Sequence, residues 1–340
     1  MLRTLTILLL FLGIATAGNA QDPIFSQFYA APLQLNPAFA GTTYEPRITL
    51  NYRNQWPSIE NAYVTYAASY EQFMENLNSG FGVQVSTDSQ GDGVYKVNRF
   101  GATYSYQVAV NKEIRLKFGV EAAFQQSSVD WNRLVFLDQI DPITGFSDGN
   151  GNPILSEEVR PINTTNSLFD VSTGILAYSR DFFVGFSAKH LNTPDESILD
   201  SDANLSGGLP MRLTLHGGYQ LNLGGNKRGR AAFVSPNAAY IRHGDQTQIN
   251  VGAYAGFSSI FAGVWYRHAN SNRDAAIALI GYQYDIFKIG YSYDFTISEL
   301  AVPGSGGAHE ISVTLNFDES EAAKRRRRNS RYNDCFRFLR

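Results

Sequence analysis

Glu310-Ile311-Ser312-Val313-Thr314-Leu315-Asn316-Phe317 alternates a polar and an apolar residue at every step. A period of two residues marks a strand with one apolar and one polar face. The same split recurs in Phe287, Ile289, Tyr291, Tyr293 and Phe295 against Lys288, Gly290, Ser292 and Asp294. It also sets Leu213, Leu215, Tyr219 and Leu221 against Arg212, Thr214, His216, Gln220 and Asn222, and Ile48, Leu50 and Tyr52 against Arg47, Thr49, Asn51 and Arg53. Marking every such run predicts about fourteen strands, near 46–56, 62–72, 78–87, 97–110, 113–127, 167–179, 181–190, 210–223, 228–242, 245–257, 259–269, 273–285, 287–297 and 308–318. Many are longer than an ordinary globular strand and match the roughly 9–11 residues needed to cross a bilayer at a tilt.

The connections between these runs sort by parity. Even-numbered ones read as brief: a few residues after the second strand, Asn111-Lys112 after the fourth, Arg180 after the sixth, Gly224-Gly225-Asn226-Lys227 after the eighth, then Ser258 and Ile286. The long ones are all odd-numbered: Asp88–Lys96, Ser128–Asn166, Leu191–Leu209 and Ser298–Gly307. A soluble sandwich has no reason to sort its loops this way, whereas an outer-membrane barrel has short turns on one side and long loops on the other. Lipid offers no hydrogen bonds, so the sheet must close on itself, and an even strand number brings both ends of it to the periplasmic side. The fold class predicted is therefore all-β: a transmembrane antiparallel barrel over 46–318, with an apolar outer face, a polar interior and tyrosine and phenylalanine near the strand ends.

Composition agrees. The chain has 340 residues, 17% of them charged and 13% aromatic, against about 25% charged in an ordinary soluble domain. Thirty glycines, nineteen tyrosines and twenty-three phenylalanines suit many strands joined by tight turns. Mean hydropathy is −0.22, and only the N-terminus has a long apolar run, which argues against a helical membrane protein. A single cysteine excludes an internal disulfide framework.

Both ends differ from the middle. Arg3, the apolar run Leu5–Ile14 and the small residues Gly18-Asn19-Ala20 read as a secretory signal over 1–20, cleaved before Gln21. Residues 21–45 carry Pro23, Pro32 and Pro37 and are predicted to be an irregular segment, periplasmic or in the lumen. Residues 319–340 hold eight basic side chains against three acidic ones, so the net −3 of the whole chain conceals an acidic barrel and a basic tail. A run such as Lys324-Arg325-Arg326-Arg327-Arg328 is solvated and suits docking on an acidic periplasmic partner. An exported chain has no call for nucleic acid.

Catalytic and metal chemistry find little support. His190, His216, His243, His268 and His309 have no partner at metal-binding spacing. Gly304-Ser305-Gly306-Gly307 has no lysine and no strand-to-helix context, so it reads as a loop tip. Asp148-Gly149-Asn150-Gly151-Asn152, with Asp138 and Asp141, offers oxygen ligands, but the bidentate glutamate of a calcium loop is missing and such clusters form turns. Nothing suggests a hydrolase triad. Cys335 reads as an idle thiol. No enzyme and no cofactor are expected.

Gln21-Asp22-Pro23-Ile24-Phe25-Ser26-Gln27 and Asn36-Pro37-Ala38-Phe39-Ala40-Gly41 resemble the opening of the PorP/SprF family of type IX secretion membrane proteins. Tyr52-Arg53-Asn54-Gln55-Trp56, His190-Leu191-Asn192, Asp294-Phe295 before Ser298-Glu299-Leu300, and Ser305-Gly306-Gly307-Ala308-His309-Glu310-Ile311 extend the resemblance to nearly the whole mature chain. Phe28-Tyr29-Ala30-Ala31 and the ending Cys335-Phe336-Arg337-Phe338 depart from the family's usual residues. The resemblance implies a barrel in the outer membrane of Bacteroidetes-type bacteria, within the secretion and gliding apparatus. It also implies a role in export or surface attachment of partners such as adhesins, and links to periplasmic components of the machine. The residues it marks for partner binding are Gln21, Asp22, Pro23, Phe25, Ser26, Gln27, Asn36, Pro37, Gly41, Tyr52, Arg53, Gln55, Trp56, His190, Gly306, Gly307, His309 and Glu310. The competing expectation is a channel for uptake of a small solute, since about fourteen strands enclose a lumen unless something plugs it.

Overall fold

The computed structural model describes residues 22–320, except 59–62, 149, 199–207, 224–231, 271–273 and 298–305. The signal segment with Gln21, the Gly224–Lys227 turn, Ser298–Ser305 and the tail with Arg325–Arg328 and Cys335 lie outside the described residues. Among those described, fourteen antiparallel strands form one closed sheet: β1 (Arg47–Gln55), β2 (Tyr63–Met74), β3 (Ser79–Gln90), β4 (Tyr95–Ala109), β5 (Arg115–Val129), β6 (Thr165–Tyr178) and β7 (Phe182–Lys189) form its first half. The second half is β8 (Arg212–Tyr219, resuming as Leu221–Asn222), β9 (Phe233–His243), β10 (Gln246–Phe257), β11 (Ile260–Ala269), β12 (Ala275–Tyr284), β13 (Phe287–Thr296) and β14 (Ala308–Asn316). Each strand pairs with its sequence neighbours, and β14 closes on β1 from Arg47↔Asn316 to Gln55↔Ala308. No described helix is long and apolar enough to cross a membrane; the crossing elements are strands.

Alternation assigns the faces. In β14, Glu310, Ser312, Thr314 and Asn316 are buried while Ile311 is 45% exposed. Lys288, Ser292 and Asp294 point inward on β13, with Phe287, Ile289 and Phe295 outward; Arg47, Thr49, Asn51 and Arg53 point inward on β1, with Leu50 outward. Val83, Val85, Phe124, Val184, Leu215, Val264 and Ile280 continue the outer apolar face around the sheet. The break in β8 at Gln220 also has a local cause. The register sets Tyr219 opposite Pro236 of β9, and proline has no N–H to give to the ladder.

Two expectations need correction. The third connection is not a long loop, because β3 runs to Gln90 and β4 starts at Tyr95, leaving a tight turn with Gly91, Asp92 and Gly93 at positive φ. The interior is also not uniformly polar: Tyr254, Phe261, Trp265, Ile277 and Leu279 of β10–β12 point inward and are buried. The remaining long connections, 130–164, 190–211 and 297–307, share the end of the barrel where odd-numbered connections emerge.

Val264 and Leu137 are 68% and 89% exposed, one at the middle of an outer strand face and the other in a long connection. Val264→Arg is expected to destabilise the barrel by about 2–4 kcal/mol, whereas Leu137→Arg changes stability by less than about 0.5 kcal/mol. Urea-dependent refolding into lipid vesicles measures both; equal effects would contradict the assignment of the outer face to lipid.

Candidate functional site

The interior is filled by the N-terminal segment itself. Between Asp22 and Thr43 the backbone forms three short turns, a 3-10 turn at Phe28–Ala30, a single α-turn at Pro32–Leu35 and a 3-10 turn at Pro37–Phe39. Pro32 and Pro37 each open one of them, where a missing N–H costs nothing. The segment is therefore locally turned rather than wholly irregular. Asp22 lies near the odd-numbered end and Gly41 near the opposite end, where Pro46 leads into β1. Most of its side chains are buried, and their partners come from β1 to β8 on one side and β10 to β14 on the other.

Ser26 and Gln27 bind the seam where the barrel closes. Glu310 on β14 accepts from the Ser26 N–H at 2.7 Å and the Gln27 N–H at 2.9 Å. The Ser26 hydroxyl donates to Asp294 Oδ2 at 2.7 Å and accepts from Arg53 Nη1 at 2.9 Å and Arg267 Nη2 at 2.7 Å. Arg53 also pairs with Asp294 at 3.0 Å and Glu310 at 3.1 Å, and Arg267 pairs with Asp294 at 3.0 Å. Two guanidinium groups thus face two carboxylates, a balanced set in a place that excludes bulk water, and the serine joins all four strands of the set. Gln27 reaches on to Ser292 and the Glu310 carbonyl.

A second network holds Asp22. Its Oδ2 lies 2.8 Å from Arg212 Nη1 and 3.0 Å from His190 Nε2. His190, in the left-handed region at φ 57°, has its other ring nitrogen 3.1 Å from Asp170, which Arg99 links to Glu121. The His243 ring stacks on His190 at 5.7 Å. Burial alone would push the Asp22 carboxyl up, but His190 and Arg212 outweigh it and hold it well below the usual carboxylate range.

Asn36 and Gly41 fix the rest of the segment. The Asn36 amide donates to the carbonyls of Ile175 and Phe186 at 3.1 and 3.2 Å, while its oxygen accepts from the Ala38 N–H at 2.8 Å and caps the following turn. Gly41 sits at φ +62°, and a Cβ there would come 2.6 Å from Gly80 Cα; its N–H donates to Glu71, itself paired with Arg47. Lys117 donates to the carbonyls of Ala40 and Gly41. On the apolar side, Phe28 packs on Trp265 with centroids 5.3 Å apart, Tyr29 on Tyr254 and Phe261 at 5.8 and 5.5 Å, and Phe39 on Phe183 at 6.0 Å. This explains the inward aromatics of β10–β12: they receive the segment rather than line a watery pore.

The residues marked by sequence resemblance therefore divide in two. Asp22, Phe25, Ser26, Gln27, Asn36, Pro37, Gly41, Arg53, His190 and Glu310 lie inside the barrel, largely engaged with one another, and Pro23 floors a cleft at the odd-numbered end. Tyr52, Gln55, Trp56, Gly306, Gly307 and His309 gather around that end of the β14–β1 seam. There the Trp56 N–H donates to the Gly307 carbonyl at 2.7 Å, Trp56 packs on Tyr63, and Tyr52 packs on Tyr66. Arg53 reaches Gln55 at 3.4 Å, and the Tyr291 hydroxyl meets His309 at 2.8 Å. Arg99, Asp170, Arg212 and Arg267 were not singled out as site residues, although a charge on the inward parity of a membrane strand is the signal that marks them. In the 130–164 connection, Asp148 accepts from Asn150 and Asn152, and Asp141 from Ile143 and Thr144. These contacts hold both carboxyls below their ordinary range, through the Asn152 side chain first at Asp148 and the Thr144 N–H first at Asp141. The aspartates serve turns, and no group of three metal-ligating side chains occurs among the described residues.

The sequence profile described as type IX secretion system membrane protein PorP/SprF matches residues 17–315. No curated protein sequence matches the chain. Among solved structures, the chain is similar to the outer membrane protein Omp33 of Acinetobacter baumannii, at 9% identity over 82% of this chain and 100% of that one, with a TM-score of 0.43. It is also similar to the toluene transporter TodX of P. putida, at 11% identity over 85% and 94% of the two chains with a TM-score of 0.43. A FadL homologue of Pseudomonas aeruginosa matches at 10% identity over 80% and 90%, with a TM-score of 0.41.

Removing one member of the balanced set leaves a buried charge uncompensated. Arg53→Met is expected to cost about 3–5 kcal/mol, read from the urea midpoint of the folded barrel; a loss below about 1 kcal/mol would show that the set is solvated. The Asp22 contact has a defined pH window. Because its folded pKa is depressed, its contribution is complete above the ordinary aspartate value of about 3.9 and disappears as pH falls through the lower folded value. The difference in protease access to the N-terminal segment between Asp22→Asn and the unsubstituted protein is therefore expected to persist down to about pH 4 and to shrink below that. Loss of that difference between about pH 7 and 5 would contradict this.

Proposed function

The chain belongs to the PorP/SprF family of type IX secretion system membrane proteins, and on that premise we propose that it is a plugged, non-enzymatic outer-membrane platform that assists export or surface anchoring of a secreted partner such as an adhesin. The observation that carries this reading is the occupied interior. A lumen filled from Asp22 to Thr43 and locked at both ends is no conduit for a polypeptide or a solute, so the work falls to the surfaces the barrel presents. At the odd-numbered end, taken as the cell exterior, the 130–164 connection is shaped by aspartate turns and presents Leu137, Ile143, Leu155 and Ile162 at 84–92% exposure. A water-facing loop that is ordered and apolar at its tips suits docking on another protein. At the opposite end, the basic tail with Arg325–Arg328, outside the described residues, would meet periplasmic components of the machine.

The small-solute channel requires the N-terminal segment to leave the lumen. In planar bilayers the full-length protein is expected to show no steady conductance. In a deletion strain, surface proteins are expected to be lost from the cell surface, with restoration by the intact gene. Replacing Arg325–Arg328 by serines is expected to leave the barrel folded while reducing co-purification of periplasmic secretion components. Steady conductance together with normal export and attachment in the deletion strain would overturn the platform reading in favour of the channel.

A further inference from the structure

An open-mouthed cleft with about 70 Å³ of enclosed space lies at the odd-numbered end above the N-terminal segment. Its floor is Asp22, Pro23 and Gln34; its walls come from β3, β4, β5, β7 and β8, and Glu196 and Leu209 of the 190–211 connection roof it. Glu196 Oε1 fixes that roof by accepting from the Tyr95 hydroxyl at 3.1 Å, Gln125 Nε2 at 3.0 Å and the Ser127 hydroxyl at 3.1 Å.

Two buried polar groups in this lining are left over. Lys189 is 4% exposed and forms no hydrogen bond or ion pair within about 4 Å among the described residues, its main compensating charge being Glu121 beyond that distance. Gln84 is 6% exposed, and while its amide nitrogen serves Glu121, its oxygen has no partner. Buried polar groups without partners cost stability unless something satisfies them. The charged lining residues are Asp22, Asp88 and Glu196 against Arg99, Lys189 and Arg212, three of each sign, so the cleft has no net attraction for a strongly charged ligand. Gln34, Gln84, Gln90 and Gln125 each carry a donor and an acceptor on one side chain, while Pro23, Val97 and the Tyr95 ring add small apolar surfaces.

We propose that this cleft is a binding site for a neutral saccharide. A sugar hydroxyl both donates and accepts, so adjacent hydroxyls can satisfy the Lys189 ammonium and the Gln84 oxygen together. Sugar C–H faces can lie on the tyrosine and proline surfaces. The enclosed space is small, so the cleft takes the end of a saccharide, with the remainder lying in its open mouth. The site is complete in this chain alone and does not depend on the secretion reading, so an export phenotype has no bearing on it.

The test uses the purified full-length protein in a detergent without a sugar headgroup, labelled and applied to arrays of neutral hexose and N-acetylhexosamine oligosaccharides, sialylated and sulfated oligosaccharides, and short peptides. Retention on neutral saccharides, insensitive to salt and reduced about tenfold or more by Gln84→Ala/Gln125→Ala and by Lys189→Met, is the expected result. Unheated gel mobility checks that both variants are folded, and Ser86→Ala gives a milder change at the same wall if either is not. Retention only on acidic sugars, retention only on peptides, no retention at all, or retention unchanged in the folded variants would each overturn the proposal.

Discussion

Charges that face the inside of a closed barrel must be compensated there, and most of this architecture answers to that constraint. Arg53, Arg267, Asp294 and Glu310 balance one another, but the carboxylate of Glu310 needs the N–H groups of Ser26 and Gln27, and both guanidinium groups converge on the Ser26 hydroxyl. The N-terminal segment is thus the second half of a polar interior that the strands leave incomplete. Its retention is another matter. Buried ion pairs add little net stability because desolvation offsets their attraction, whereas burying Phe28, Leu33 or Phe39 gives about 1.5–3 kcal/mol each. The aromatics hold the segment in, and the polar contacts fix where each residue sits.

That division explains what could be read from the sequence. β1, β8, β13 and β14 follow their alternation closely because lipid meets one face and polar partners meet the other. β12 reads differently: Ala275, Ile277 and Leu279 are as apolar as the outward Ala276, Ala278 and Ile280, since that inner face packs against the interior segment. Periodicity alone cannot report a buried-on-both-sides strand, and the assumption of a polar lumen failed where the segment docks. The third connection was misjudged for a similar reason, since Gln90 and Tyr95 continue a ladder whose polar composition resembles a loop.

The site was legible as motifs but not as geometry. Ser26-Gln27, Arg53 and Glu310 stand far apart in the chain, yet they meet because β14 closes on β1 and because the segment lies between them. No spacing rule contains that information; closure does. Trp56, Gly306 and Gly307 belong to the same seam, where a left-handed pair of glycines lets two strand ends approach. Arg99, Asp170 and Arg267 carry no motif, and only their inward parity distinguishes them from surface charges.

The seam also ties the two ends of the barrel sequence together. A chain made from its N-terminus exposes β1 and the interior segment long before β14 exists, and the sheet cannot close until its final strand arrives. Because Ser26 and Gln27 grip Glu310 on β14 while Arg53 sits on β1, the segment and the closed seam stabilise one another. A truncation at either end therefore removes contacts from the other, so the two extremes of the sequence are energetically one unit.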